Sequence, residues 1–451
     1  MRLFARLLAA LAALSLVVQP AAAQSVLRDA ETEALLDDMA APLIAAAGLA
    51  PGNVDIVLVN DPSINAFVAG GQVVYIHTGL IEAADTANEV QGVITHELGH
   101  ITGGHVISHG QGVADAGRIS ILSLLLAAAA AAAGSADAAM GVMMAGQRAA
   151  LGKYLSFSRV QESAADAAGA EYLSKAGLTG RGSLTFFGKL QNLEFRYGYS
   201  QDADQTFERT HPLSGDRLAT LREAYSRDPA WDTPPDRALQ SRFERVKAKL
   251  AGYIQEPRRT LARYPESDPS VAARYARAYA FHKDAMVGRA LAETEALLAA
   301  DPNDPYFLEL RGQVLLESGR PAEALEPLRR AAVLTGNQPL IASMFGHALI
   351  ATEDAANHEE AEQVLRAAVA RDRLNPFAWY QLGVIHAAKG DIPRARLASA
   401  EQQAMSGRYA EALMSAQAAE AGLPAGSPDW LHAQDIAMHA RAELERARKR
   451  K

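Results

Sequence analysis

The stretch THELGH at residues 95–100 places two histidines, His96 and His100, on either side of Glu97. In a helix, residues i and i+4 lie on one face, so both imidazoles could bind the same metal ion. A zinc ion that hydrolyses peptides needs three protein ligands and one open position for water, whose pKa it lowers. Glu97 lies at the edge of the same face, where it could take a proton from that water and deliver it to the leaving amine. The motif therefore predicts a zinc peptidase site with Glu97 as the catalytic residue.

The third zinc ligand has to come from another part of the chain. In the pattern HExxHxxGxxH the last position is occupied here by Val106, and His105 misses it by one residue. We therefore expect His105 to support the site or face solvent rather than bind the metal. A glutamate on a later helix is the alternative, and Glu162 is the best candidate because Asp166 follows it at i+4. The Asp166 carboxylate could hydrogen-bond the distal nitrogen of a ligating histidine and fix its tautomer.

The residues around the motif predict a small sheet followed by helices. Asp55–Val59 and Gln72–His77 are rich in β-branched residues and are separated by turn formers, which is typical of strands. Helical patterns follow from about Thr86 to His105, which includes the zinc motif, and from about Ser158 to Lys175, which includes Glu162. We expect the strand Val73–Ile76 to form a sheet edge to which an extended substrate adds as a further strand.

Two apolar segments lie between those helices. The first, Ile119–Ala133, is fifteen residues long, which is short of the roughly 20 needed to cross a bilayer. Gly134, Ser135 and Asp137 separate it from the second, so we predict a helical hairpin over residues 119–146. Two interpretations are open: a buried helix pair, or a mobile or membrane-proximal flap beside the active site.

The C-terminal part of the chain repeats itself. Pro305 and Pro339 are 34 residues apart, as are Gly312 and Gly346, and the interval widens to 37 between Pro339 and Pro376. A 34-residue period with small residues at helix contacts and proline at the repeat boundary is typical of tetratricopeptide repeats. Such repeats stack into a superhelix with a concave binding face.

The N-terminus and the composition indicate where the protein works. Two arginines, an apolar run from Leu7 to Val18 and an A-x-A site before Gln24 predict a signal peptide over residues 1–23, cleaved near Ala23. With no cysteine the chain can form no disulfide, and the export signal favours a soluble periplasmic protein. The net charge of −8 argues against nucleic acid as a partner.

Prolines collect between residues 229 and 269, where we expect a domain boundary. The predicted organisation is a signal peptide over 1–23, a metallopeptidase domain over 24–260 and a repeat domain over 270–451. The predicted fold class is α+β: a mostly helical gluzincin-type metallopeptidase domain with a small β-sheet, followed by an all-α tetratricopeptide-repeat superhelix.

Five stretches resemble, in the same order, the HtpX and CAAX-prenyl-protease class of zinc metallopeptidases. They are NAF at 65–67, GGQVVYIHTGLI at 70–81, VITHELGHITGGH at 93–105, RVQESAADAAGAEYLSKAGL at 159–178 and RTHPLSGDRL at 209–218. The resemblance implies that the HExxH histidines and the glutamate of ExxAD bind one zinc ion per chain. Those residues are His96, His100 and Glu162 here, and Glu97 is the general base and acid.

The resemblance adds two residues that spacing alone does not indicate. In members of this class that carry repeats, a histidine after the ExxAD helix can cap the zinc as a fourth ligand and hold the enzyme latent. His211 matches that histidine. Arg217 occupies the basic position of the class, in a pair with Asp166.

Together these features predict a periplasmic zinc endopeptidase that degrades misfolded or misassembled outer-membrane proteins. Its repeats would dock unfolded or misassembled substrates or the outer-membrane assembly machinery. The alternative is a chaperone or scaffold in outer-membrane protein assembly, with largely latent protease activity.

Overall fold

The chain divides into two compact units. The computed structural model describes residues 25–132, 136–197, 211 and 215–449. Within these ranges, the first unit contains residues 25–27 and 40–235, and the second contains residues 28–39 and 236–449. The predicted signal peptide lies outside the described residues. The division after Pro235 lies within the proline-rich region 229–269, and the domain limits 24–260 and 270–451 stay predictions.

The first unit contains a four-stranded sheet in the order β1-β2-β4-β3. Its strands are β1 (Ser25–Val26), β2 (Asp55–Asn60), β3 (Ala66–Ala69) and β4 (Val73–His77). β2 pairs parallel with β4, whereas β1 pairs antiparallel with β2 and β3 antiparallel with β4.

The expectation that Val73–Ile76 forms a sheet edge is wrong. β4 lies between β2 and β3, and the edge on that side is β3. The β-branched composition of β4 indicates a strand that is well packed, but it does not say which strands flank it. The short strand β3, which folds back onto β4, takes the edge instead.

Seven α-helices of the described chain lie before residue 236. They are α1 (Ala30–Ala46), α2 (Thr78–Ala83), α3 (Ala87–Thr102), α4 (His105–Ala132), α5 (Ala136–Lys175), α6 (Arg181–Tyr197) and α7 (Gly215–Ser226). α1 is divided between the units after Met39. The other helices listed belong to the first unit.

The start of α3 is fixed by reciprocal capping. The Thr86 hydroxyl accepts a hydrogen bond from the backbone N–H of Glu89, and the Glu89 carboxylate accepts one from the backbone N–H of Asp85. These contacts satisfy donors that the first turn of a helix leaves without intrahelical partners. The helix that carries the zinc motif therefore begins at a defined position.

Close packing of α3 against α5 depends on one glycine from each helix. A Cβ atom on Gly99 would lie 2.6 Å from the carbonyl oxygen of Ala165, and one on Gly169 would lie 3.2 Å from the backbone of Thr95. Only glycine permits backbones to approach this closely. The approach brings the HExxH helix directly onto the helix that carries Glu162.

The predicted hairpin over 119–146 is formed by the C-terminal half of α4 and the N-terminal part of α5, and residues 133–135 lie outside the described chain. The interpretation as a buried helix pair is wrong, because its large apolar side chains are mostly exposed. They include Ile121, Leu122, Leu124, Leu125, Leu126, Met140, Met143 and Met144. Among the described residues, no helix combines the length and the hydrophobicity that crossing a bilayer requires.

The second unit is built from helices alone, as far as the structure describes it. They are α8 (Arg237–Ile254), α9 (Pro257–Arg263), α10 (Val271–Lys283), α11 (Val287–Ala300), α12 (Pro305–Glu317), α13 (Pro321–Leu334), α14 (Pro339–Ala351), α15 (His358–Arg371), α16 (Pro376–Ala388), α17 (Ile392–Met405), α18 (Tyr409–Gly422) and α19 (Pro428–Lys449).

The repeat pattern in the sequence corresponds to pairs of these helices. Pro305, Pro339 and Pro376 each begin the first helix of a pair, where a missing N–H costs nothing. The glycines of the period lie at the contact within a pair. A Cβ atom on Gly312 would lie 2.4 Å from the Leu328 side chain on α13. The predicted fold class is confirmed.

A buried charged cluster joins residues 28–39 to the rest of the second unit. Glu31 accepts hydrogen bonds from Arg245 at 2.5 Å and from the Tyr275 hydroxyl at 2.7 Å. Lys249, which is 3% exposed, lies 2.5 Å from Asp29 and 3.3 Å from Glu31. These paired charges hold the N-terminal segment in the repeat unit, although the sequence places that segment before the sheet.

Candidate metal centre

Helix α3 supplies the first three side chains of the site. His96, Glu97 and His100 are all buried, and Glu97 is fully enclosed. The two histidine rings lie 4.8 Å apart between centroids, as expected for residues one helical turn apart. The structure therefore brings together the two histidines that the motif predicts, on the side of α3 that faces α5.

Helix α5 supplies the carboxylates. Glu162 and Asp166 are one turn apart and both buried. An oxygen of Glu162 lies 3.4 Å from the Nε2 atom of His96, and its other oxygen lies 3.4 Å from the Nε2 atom of His100. The i+4 spacing by which Glu162 was selected in the sequence thus corresponds to a carboxylate that faces both imidazoles.

His211 completes a cluster of four donors. Its Nδ1 atom lies 3.2 Å from the Nε2 atom of His96 and 3.2 Å from Glu162. The Nε2 atoms of His96 and His100 are also 3.2 Å apart. The four side chains offer one donor atom each within 4.8 Å of one another, and all four are buried.

These separations fit a tetrahedral metal ion. Zinc binds imidazole nitrogen and carboxylate oxygen at roughly 2.0–2.1 Å, which makes the edge of a regular tetrahedron about 3.3–3.4 Å. His96 lies 3.2–3.4 Å from His100, Glu162 and His211, and Glu162 lies 3.2–3.4 Å from His100 and His211, which is close to that length. All four donors lie within 4.8 Å of one another. Two or three nitrogens with one carboxylate are also the ligand types that zinc prefers.

A second layer of polar contacts orients the donors. The Nδ1 atom of His96 lies 3.0 Å from Asp166, so its N–H can donate to that carboxylate and leave Nε2 free to bind a metal. Arg217 on α7 donates to both oxygens of Asp166, at 2.7 and 2.9 Å, and lies 3.0 Å from Glu162. The arginine therefore fixes both carboxylates at once.

The electrostatics of the site favour a cation at its centre. Burial lowers the pKa of His96, but Asp166 and Glu162 outweigh it and raise the pKa to about 10. Burial and the neighbouring imidazoles lower the pKa of His100 to about 2. Burial raises the pKa of Glu162, yet His211 and His96 bring it well below its usual range. The raised pKa means that His96 holds a proton near neutral pH, and a metal cation would displace that proton on binding.

Glu97 differs from the other acids of the site. Neither of its carboxylate oxygens has a hydrogen-bond partner among the described residues, although both are buried. The Nε2 atom of His211 lies 3.6 Å from one of them. Burial raises the pKa of Glu97, which brings the carboxylate closer to the range where it can both accept and return a proton.

His105 has a role that spacing alone left undecided. Its Nδ1 atom lies 2.9 Å from the Nδ1 atom of His100, on the side of the ring away from the metal donors. His105 can thus orient His100 as Asp166 orients His96. The expectation that His105 supports the site without binding the metal agrees with this position. Spacing alone does not distinguish a supporting role from solvent exposure, because the turn at Gly103 and Gly104 determines where His105 lies.

A helix with two histidines and a glutamate, packed below a small sheet and facing a glutamate on a later helix, defines a metallopeptidase domain. Comparison with known proteins supports this class. Residues 27–225 match the model of peptidase family M48. This part of the chain is similar to that family, and helical repeats follow it.

Two relatives and one solved structure are similar to parts of the chain. The beta-barrel assembly-enhancing protease of Escherichia coli (strain K12) is 26% identical over 394 residues, which cover 82% of this chain and 75% of the relative. Metalloprotease LoiP of the same organism is 32% identical over 181 residues, covering 40% of this chain and 64% of LoiP. The crystal structure of YrrB, a TPR protein with an unusual peptide-binding site, is 24% identical with a TM-score of 0.32, covering 39% of this chain and 91% of YrrB.

Proposed function

We propose that the protein is a zinc-dependent endopeptidase. The observation that carries the proposal is the cluster of His96, His100, Glu162 and His211 beside an unpaired, fully buried Glu97. His96, His100 and Glu162 would hold one zinc ion per chain. When bound, zinc would polarise the peptide carbonyl and make a water molecule acidic enough to react near neutral pH.

The protein's own residues account for the proton transfer. Glu97 takes a proton from the attacking water and returns it to the leaving amine, since no other carboxylate of the described site is without a partner. Asp166 keeps the Nε2 atom of His96 directed at the centre of the site. Arg217 keeps Asp166 and Glu162 charged and in place, because it lies within 3.0 Å of both.

His211 would hold the enzyme in a latent form. A catalytic zinc site needs an open position for water, whereas His211 fills the fourth corner of the donor set. The same side chain lies 3.6 Å from Glu97, so it also stands where the water would be activated. His211 therefore has to move before a substrate can be cleaved.

The substrates we propose are unfolded or misassembled outer-membrane proteins in the periplasm. A relative that is 26% identical over 82% of this chain is named for beta-barrel assembly, and the predicted signal peptide favours an exported protein. The edge strand β3 packs beside α3 and offers backbone pairing to an extended segment. Backbone pairing reads little sequence, so selection would depend on whether a segment is unfolded. The repeats would dock substrates or the assembly machinery.

The alternative is a chaperone or scaffold whose protease is largely silent. The position of His211 in the fourth corner of the site agrees with the silent protease that this alternative requires. The substitution Glu97→Gln separates the two functions in cells that lack the wild-type protein. Loss of rescue supports the endopeptidase, whereas full rescue supports the scaffold.

The zinc site is tested by elemental analysis of the purified chain and of Glu162→Gln, with digestion of unfolded casein measured in parallel. We expect about one zinc per chain in the wild type, and a lower content and no digestion in Glu162→Gln. Glu97→Gln is the matched control, because it should keep zinc and lose digestion. Wild-type protein that takes up no zinc would contradict the proposal.

A further inference from the structure

The hairpin of α4 and α5 has an apolar end that the metallopeptidase chemistry does not use. We define the apolar tip as residues 119–132 and 136–147. Its large side chains are strongly exposed: Leu125 is 64% exposed, Ile121 62% and Met140 62%. Exposed apolar patches of this kind mark surfaces that bind a partner or a membrane.

The packing of the tip is the reverse of a water-soluble helix pair. The residues buried between the two helices are small, namely Ser123, Ala127, Gly146 and Ala150. A Cβ atom on Gly146 would lie 1.9 Å from the side chain of Ser123, so the Ser123 side chain packs directly against the backbone of α5 at Gly146. Small residues inside and large apolar residues outside are the arrangement that helices adopt in lipid.

Charges are arranged around the tip in a way that fits an anionic surface. Between residues 116 and 161, the charged residues are Arg118, Asp137, Arg148, Lys153 and Arg159. Arg118 and Arg148 lie at the base of the tip on opposite helices, and both side chains are exposed, as is Lys153. Cations at the margin of an apolar surface are attracted to the phosphates of anionic lipids.

The length of the tip matches half a bilayer. With a rise of 1.5 Å per residue, the distance from Ala132 to Arg118 along α4 is about 21 Å, and the distance from Ala136 to Arg148 along α5 is about 18 Å. One leaflet with its headgroups is roughly 20–22 Å thick. Arg118 and Arg148 would thus lie at the phosphate level when Ala132 and Ala136 reach the bilayer centre. A charged residue at 137 in the sequence opposes passage into the second leaflet.

We propose that the apolar tip inserts into one leaflet of an anionic phospholipid bilayer. The insertion anchors the metallopeptidase unit at a membrane surface without crossing it. Because α5 continues from Arg148 to Glu162, the metal centre would stand about 21 Å along that helix from the phosphate level. The protein would then meet its substrates next to the membrane.

Flotation with vesicles tests the proposal. The exported chain, with removal of residues 1–23 verified by mass spectrometry, is mixed with vesicles of phosphatidylethanolamine and phosphatidylglycerol or of phosphatidylcholine alone. We expect flotation with the anionic vesicles that weakens with salt. The tip variant Ile121→Ser/Leu125→Ser/Met140→Ser should reduce the floated fraction at least about fivefold, because binding scales with buried apolar area.

A matched control replaces three equally exposed apolar residues on the repeats, as Val333→Ser/Leu374→Ser/Met414→Ser. The control should float like the wild type, and so should Glu97→Gln, which separates this proposal from the proposed catalysis. In a second measurement, tryptophan fluorescence of Leu125→Trp should be quenched by lipids brominated in their acyl chains.

Three results would overturn the proposal. One is that the wild type floats with neither vesicle; another is that the repeat control loses flotation as much as the tip variant. The third is that the wild type binds no vesicles and the tip variant differs from the wild type in another property. That property is the oligomer mass in light scattering or the retention on an unfolded protein. That third result would assign the tip to a second copy or to a protein partner.

Discussion

At the scale of single residues, the metal centre depends on groups with distinct tasks. Among the four donors, His211 comes from outside the long helices α3 and α5, and it lies against both Glu162 and Glu97. Arg217 supplies no donor atom to the cluster, but it holds the carboxylates of Glu162 and Asp166. Substitution of His211 and substitution of Arg217 should therefore change different properties.

Removal of the His211 side chain should activate the enzyme. In His211→Ala the three donors His96, His100 and Glu162 stay in place, and the fourth corner opens to water. We expect casein digestion to rise several-fold with zinc content unchanged, since the competent state is no longer a minor population. His439→Ala, at an exposed position in the repeats, is the control. Activity that falls together with zinc content would instead make His211 a required ligand.

Loss of Arg217 should weaken metal binding without unfolding the unit. In Arg217→Gln, Asp166 and Glu162 lose the guanidinium that holds both. Contacts that orient ligands typically contribute 10–100-fold to metal affinity, and we expect a loss in roughly that range in chelator competition. Arg222→Gln, at an exposed position on the same helix, should bind zinc like the wild type. Equal affinity in the two variants would remove Arg217 from the positioning role.

At the scale of elements, the site exists because α3 and α5 pack with their backbones nearly touching. A methyl group at Gly99 would meet the backbone of Ala165, which cannot move aside as a flexible side chain could. The His96 and His100 donors on α3 reach Glu162 only at this separation. The helix crossing is therefore a requirement for the metal centre.

Gly99→Ala should damage stability and metal binding together. Overpacking of this kind typically costs about 1–3 kcal/mol, and a displaced α5 carries Glu162 away from the imidazoles. The matched control is Gly152→Ala on α5, where a Cβ atom meets nothing within 4 Å. There we expect stability unchanged or raised by up to about 1 kcal/mol. Thermal melting and zinc titration of both variants test this, and an unimpaired zinc site in Gly99→Ala would refute it.

The sequence predicted what depends on local spacing and missed what depends on long-range packing. His96, His100 and Glu162 follow from i+4 relations and motif order, and the repeat helices follow from their period. The edge strand was wrong, because composition does not tell which strand lies between others. The outward direction of the tip was undecided, since an apolar segment can face a core or a lipid. His211 came from resemblance alone.

At the scale of the whole molecule, the two units are interleaved in sequence. Residues 28–39 precede the sheet of the first unit, yet they belong to the repeat unit, where Ala30 lies in its apolar core. No period or motif in the segment indicates this placement. Its acidic side chains Asp29 and Glu31 raise the number of buried charges around Glu309 and Lys249.

The stability of the repeat unit should decrease as pH rises from about 4.5 to about 8. Burial, with a smaller contribution from Asp29 and Glu31, raises the pKa of Glu309 from 4.5 to about 8. A carboxyl whose pKa is raised by folding stabilises the folded state fully below about pH 4.5, and this contribution is lost progressively up to about pH 8. The loss is on the order of a few kcal/mol.

Glu309→Gln, which stays neutral, should remove this pH dependence. Urea unfolding at pH 5.5 and 8.5 measures it, in a Trp231→Phe background that leaves both remaining tryptophans, Trp379 and Trp430, in the repeat unit. Burial lowers the pKa of His347 and of His386. Their contribution to the stability of the unit therefore increases with pH, whereas that of Glu309 decreases. They are present in both proteins, so the difference between the two curves isolates Glu309. Parallel curves for the two proteins would show that Glu309 is ionised in the folded unit and would contradict the prediction.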